Sequence, residues 1–163
     1  MPCDLVLIAY DGSDDARRAV EYAGRFLSAT ATVVVTAWEP MVRQTGRLSG
    51  LSGLAQQEWL ADDELDDVAR VDAGHVNAEG VRLAELAGMR PRGRTVECTT
   101  TVWSAIVAVA DELNADIIVA GTRGNTGLRA LLRSSVADAV LKHCHRPILL
   151  VPPARSPGAR MRA

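Results

Sequence analysis

The sequence predicts a single α/β domain, doubly wound around a five-stranded parallel sheet. Two patterns carry this expectation. Runs such as Leu5 to Tyr10 (LVLIAY) and Ile117 to Ala120 (IIVA) are apolar at nearly every position, as strands covered on both faces must be. Each ends at a glycine-bearing turn, and helical stretches with apolar residues every three or four positions alternate with the strands. Such alternation places helices on both faces of one sheet. A length of 163 residues suits one such domain and not two.

The first strand, Leu5 to Tyr10, stops at Asp11-Gly12-Ser13. Ser13 suits an N-cap, and Asp14 and Asp15 complement the positive end of the helix that follows. Ala16, Ala19, Val20, Ala23, Phe26 and Leu27 then share one helical face. Thr32 to Ala37 (TVVVTA) is the second strand, completing a βαβ unit whose crossover is expected to be right-handed. From Glu39 to Ser52 the pattern gives way to Pro, Gly, Ser and Arg, the composition of a loop that could close over a ligand.

Helical periodicity returns between about Leu54 and Gly88, in one piece or two, through Leu65, Ala69, Ala73 or Asp72, Val76, Gly80, Leu83 and Ala87. The acidic cluster from Asp62 to Asp67 reads as the solvated face at that helix's start. Thr95 to Thr101 (TVECTTT) is expected as the third strand, and Ser104 to Leu113 as a helix with the stripe Ile106, Val109, Ala110 and Leu113. Asp116 to Ala120 is the fourth strand, Val136 to Lys142 the last helix and Ile148 to Val151 the fifth strand. The domain thus spans residues 1–153. Residues 154–163 (ARSPGARMRA) are basic, lack a core-forming pattern and are expected to be disordered.

Composition removes several function classes. A net charge of −2 gives no reason to expect nucleic acid as a partner. No apolar stretch is long enough to span a membrane, and no basic region precedes the first apolar run, which argues against a signal peptide. A cytoplasmic location is the expectation. Cys3, Cys98 and Cys144 are odd in number and widely spaced, as reduced, buried thiols would be. Neighbours in His143-Cys144-His145 would point about 100° apart on a helix, so no metal site is expected there. Trp38, Trp59 and Trp103 read as core or interface aromatics rather than a base-stacking platform. There is no GxxxxGK[ST] loop, and no GxGxxG follows the first strand. No nucleophile–base constellation can be argued from spacing, so any catalysis would amount at most to slow ATP hydrolysis.

Two turns draw attention. Ligands of open α/β sheets bind beyond the carboxyl ends of the strands, where the winding reverses. Asp11-Gly12-Ser13 and Gly121-Thr122-Arg123-Gly124 both lie at such ends. Glycine there lets backbone N–H groups approach a ligand, and the helix start near Ser134-Ser135-Val136 offers further donors to a phosphate. Each feature also has a plain structural use. Tight βα turns favour glycine in any case, and Ser135-Val136-Ala137-Asp138 fits a capping box.

The segments LVLIAYDGS and ADIIVAGTRGNTGLRALLRSSVADAVLKHCHRPILLVP resemble the universal stress protein family, and the likeness extends along nearly the whole chain. Its ATP-binding members carry Gly, two residues, Gly, nine residues, Gly, then Ser or Thr. Here that spacing falls on Gly121, Gly124, Ser134 and Ser135, with serine in place of the third glycine. The resemblance implies strand order 3-2-1-4-5, a Rossmann-like adenine-nucleotide fold and ATP, with Mg2+ as its companion ion, as the ligand. It implies an adenine pocket lined by Ala9, Tyr10 and Ala37, with Asp11 beside the ribose or adenine and Ala120 and Gly121 beneath the nucleotide. Gly121, Arg123 and Gly124 would approach the ribose and phosphates, and Ser134, Ser135 and Val136 would supply donors from the last helix. It also implies a homodimer formed by pairing of the last strand, Ile148 to Val151. The alternative is a family member that binds no nucleotide and acts as a dimeric interaction protein.

Overall fold

Side chains alternate along the strands and divide the core in two. On one face of the sheet Leu7, Ala9, Val33, Val35, Ile118 and Ala120 pack with Trp103, Ile106, Val109 and Ala110. On the other, Val6, Ile8, Tyr10, Val34 and Val119 pack with Ala16, Ala19, Val20, Ala23 and Ala84. Odd positions of the first strand serve one cluster and even positions the other, which is why its sequence is apolar throughout. The computed structural model describes residues 3–40, 63–122 and 144–153.

The strands are β1 (Cys3–Ala9), β2 (Ala29–Trp38), β3 (Pro91–Glu97), β4 (Ile117–Gly121) and β5 (Ile148–Val151). The described helices are α1 (Asp14–Phe26), α2 (Asp63–Leu86) and α3 (Val102–Glu112). All neighbouring strands run parallel, in the order β3-β2-β1-β4-β5, as expected. Helices α1 and α2 cover one face and α3 the other. No described helix is long and apolar enough to cross a membrane.

Ser13 caps α1 as its sequence suggests, accepting from the Ala16 N–H at 3.2 Å. The buried stripe of α2 is Ala73, Asn77, Gly80 and Ala84. Gly80 is required by close packing: a Cβ there would lie 2.6 Å from Cδ1 of Tyr10 and 2.9 Å from a methyl of Val34. Asn77 fixes α2 to the sheet, its Nδ2 donating to the carbonyls of Val34 (2.9 Å) and Arg94 (3.1 Å) and to the Thr36 hydroxyl (3.1 Å).

The third strand differs from expectation. It begins at Pro91, four residues earlier, and the threonines after it serve α3 instead. Thr101 accepts from the Ser104 N–H while Ser104 accepts from the Thr101 N–H, both at 3.1 Å. This capping box satisfies N–H groups that the helix leaves open. β3 pairs only with β2, and an edge strand tolerates the polar Pro-Arg-Gly-Arg start that hid it. Cys98 and Cys144 are both buried, as expected. The expected loop at 39–52 and the expected last helix fall mainly outside the described residues, as does the tail.

Candidate functional site

The winding reverses between β1 and β4, which are hydrogen-bonded neighbours with Val6 opposite Ile117 and Ile8 opposite Val119. The Asp11–Ser13 turn and Gly121 therefore stand side by side at the carboxyl end of the sheet, where ligands of such folds bind.

The β1–α1 turn is locked by its own side chains. The Asp11 carboxylate accepts the Ser13 N–H at 3.0 Å, and Ser13 in turn caps α1. Gly12 between them has φ +78°, a conformation a side chain would strain. This arrangement presents the half-buried Asp11 at the crevice mouth. Asp14 and Asp15 then occupy the first turn of α1 and complement its dipole. An anion gains little at this helix end, because acidic groups already hold it.

Small side chains stand near the carboxyl ends of three adjacent strands. Ala9 on β1 and Ala120 on β4 belong to the cluster under α3, and Ala37 on β2 packs against it, one per adjacent strand near the strand ends. Ala9 and Ala120 are buried and Ala37 is partly so. Trp103, in the first turn of α3, packs in the same cluster and is 5% exposed.

Tyr10 is placed differently. Its N–H donates to the Val35 carbonyl at 2.9 Å, and its ring turns to the opposite face, against Gly80. Only its backbone remains on the crevice side. Burial pushes the phenol up to about 12, and the Glu79 carboxylate nearby adds to the effect. The hydroxyl sits near the Arg17–Glu79 ion pair (2.7 Å) that joins α1 to α2, yet it completes no hydrogen bond of ordinary geometry.

Gly121 is buried against α1. A Cβ there would fall 2.6 Å from the carbonyl carbon of Asp15 and 2.8 Å from its oxygen. Its lack of a side chain thus has a packing cause whatever the crevice binds. Asp15 itself is 7% exposed, and its Oδ2 has no hydrogen-bond partner among the described residues.

The structure therefore brings Ala9, Asp11, Ala37, Ala120 and Gly121 to one end of the sheet, with Tyr10 contributing backbone alone. Arg123, Gly124, Ser134, Ser135 and Val136 lie outside the described residues. Trp103 lies in the core, as its reading as a core aromatic expects, whereas periodicity did not reveal Asn77 as a positioned group.

A model of the universal stress protein family matches residues 4–152 of the chain. Universal stress protein MJ0577 of Methanocaldococcus jannaschii is 39% identical over 152 residues, covering 90% of this chain and 93% of that protein. Universal stress protein MJ0531 of the same organism is 29% identical over 150 residues, covering 90% and 80% respectively. A crystal structure of a universal stress protein in complex with cAMP aligns with a TM-score of 0.59 at 27% identity, over 93% of this chain and 98% of that one.

Proposed function

The chain belongs to the universal stress protein family, and from that premise we propose that it is a dimeric regulator that binds an adenine nucleotide between the ends of β1 and β4. The observation that carries the proposal is the row Ala9, Ala37 and Ala120 beside a fixed Asp11 at the point where the winding reverses. Small residues at the strand ends keep bulky side chains away from the sheet's carboxyl edge, and the Asp11 carboxylate can accept from ribose hydroxyls. The acidic start of α1 directs phosphates away from that helix, towards Gly121 and the motif continuing through Arg123, Gly124, Ser134, Ser135 and Val136. A relative crystallised with cAMP supports the same ligand class. ATP, accompanied by Mg2+, is the first nucleotide to test.

Calorimetric titration with Mg-ATP of the wild type and of Ser134→Gly is the deciding experiment. Micromolar binding by both is expected, with serine tolerated where relatives carry glycine. Binding by the variant alone would favour the second role, a dimeric interaction protein with a silent site. Binding by neither would remove the nucleotide proposal.

Dimerisation is assigned to β5. It is an edge strand, and Leu150 on it is 40% exposed. An apolar edge is a template for pairing with another chain, here a second copy. Light scattering at micromolar concentration is expected to give a dimer for the wild type and a monomer for Leu150→Lys. A monomeric wild type would refute the pairing.

A further inference from the structure

The two flanks of α1 face different surroundings. Arg17 and Gly24 lie toward α2, the first paired with Glu79 at 2.7 Å and the second against Ala87. The opposite flank carries Arg18, Tyr22 and Phe26, and among the described residues no helix lies beyond it. Tyr22 is 39% exposed and Phe26 61%. Arg18 Nε donates to the Pro152 carbonyl at 3.3 Å, directly after β5, so this flank looks toward the β5 edge of the sheet.

Beside the aromatics runs a row of charges, Asp14, Arg18, Glu21 and Arg25. Their signs alternate, and their spacing of four, three and four residues is the same from either end. Such spacing commonly serves ion pairs within one helix. Here none of the four enters an ion pair among the described residues. The guanidiniums lie over rings instead, Arg18 at 5.5 Å from the Tyr22 centroid and Arg25 at 5.2 Å from that of Phe26. Reversed, the row is the complement of itself. A two-fold related copy would set Arg18 opposite Glu21 of the partner subunit, and Asp14 opposite Arg25 of the partner subunit.

β5 puts the axis at the required place. Full antiparallel pairing of Ile148–Val151 with a second copy runs the two-fold axis between Leu149 and Leu150, and sets both α1 helices antiparallel on the same sheet face. Asp15 stands beside Gly121, and Gly121 pairs with Val151. From Asp15 the midpoint of the charge row, between Ala19 and Val20, lies about 7 Å along α1 at ~1.5 Å per residue. From Val151 about 7 Å along β5, at ~3.3 Å per residue, leads to Leu149. The midpoint of the row thus falls close to the axis. α1 packs chiefly on β4, so strands ~4.8 Å apart place the two helices roughly 14 Å from each other. That exceeds the ~8–10 Å of directly packed helices and leaves a gap for long side chains to span. We propose that this flank of α1 is the second half of the homodimer interface, with Arg18–Glu21 and Asp14–Arg25 pairs formed between the copies. The inference rests on the proposed pairing of β5 and adds to it the surface that fixes register and orientation.

The test is the dimer dissociation constant of the full chain, measured by sedimentation equilibrium at low salt, where exposed charges are least screened. Glu21→Arg, at an exposed position, sets like charges opposite each other on both sides of the axis. It is expected to raise the constant about 10-fold. Arg18→Glu is expected to weaken the dimer as well, and it also removes the bond to Pro152. The double variant restores opposite charges and is expected to dimerise more tightly than either single one, the mark of direct pairing. An unchanged constant in Glu21→Arg, or a double variant no tighter than the singles, overturns the role of α1. If Leu150→Lys is then still monomeric, the β5 pairing stands without it. A monomeric wild type removes both together.

Discussion

Replacing Gly121 with alanine is expected to lower stability by about 1–3 kcal/mol, the usual range for forcing extra volume into a packed interior. The new Cβ would meet the Asp15 backbone at 2.6 Å from its carbonyl carbon and 2.8 Å from its oxygen. Those atoms belong to the first turn of a capped helix and cannot swing aside as a side-chain tip would. Relief requires α1 to withdraw from β4, and that carries the Asp11–Ser13 turn with it. The effect on a ligand held between the two turns should therefore exceed the effect on folding. Urea denaturation would measure the first and Mg-ATP titration the second. An unchanged urea midpoint would mean that α1 and β4 are not in the contact described.

Asn77→Asp is expected to be more damaging still, at about 3 kcal/mol or more. The change is nearly isosteric, but it can turn a donor that serves two carbonyls and a hydroxyl into an acceptor facing the same oxygens. A buried carboxylate there is uncompensated. In the folded variant the group would hold its proton above the ~3.9 of an unfolded chain. The variant should accordingly come closest to the wild type below about pH 4 and lose stability as pH rises through the raised value. Denaturation at several pH values would show this. A pH-independent loss would contradict the assigned bonds.

These two positions also show what could be read from the chain alone. β1 and β4 were legible because burial on both faces leaves an uninterrupted apolar signature, β5 because its four residues are apolar between prolines, and α1 because Ser13 and its acidic first turn mark a helix start. β3 was misplaced because it opens on the polar run Pro-Arg-Gly-Arg, while the threonines leading to the Thr101 cap of α3 imitate a strand. Asn77 was invisible for a related reason. A polar residue on a helix reads as solvent-facing unless something reveals that its acceptors lie beneath it. At the site, Asp11, Gly12 and Gly121 stood out as turn residues, but which face each neighbour presents is set by strand parity. That is how Tyr10, adjacent to Asp11, comes to bury its ring on the far side against Gly80.

The central place of β1 also bears on how the chain is made. Its β2 partner follows within a few dozen residues, whereas its β4 partner pairs Val6 with Ile117. Asp116 then closes the same seam by accepting the N–H groups of Asp4 and Leu5, at 2.9 and 2.8 Å. At about 5–20 residues per second, a ribosome needs roughly 5–20 s to supply that second partner. Throughout that interval this buried central strand has one side unpaired, open to association with other nascent chains. Slower supply of that partner is therefore expected to lengthen the window in which nascent chains can associate, beside the effect of the finished domain's stability on abundance.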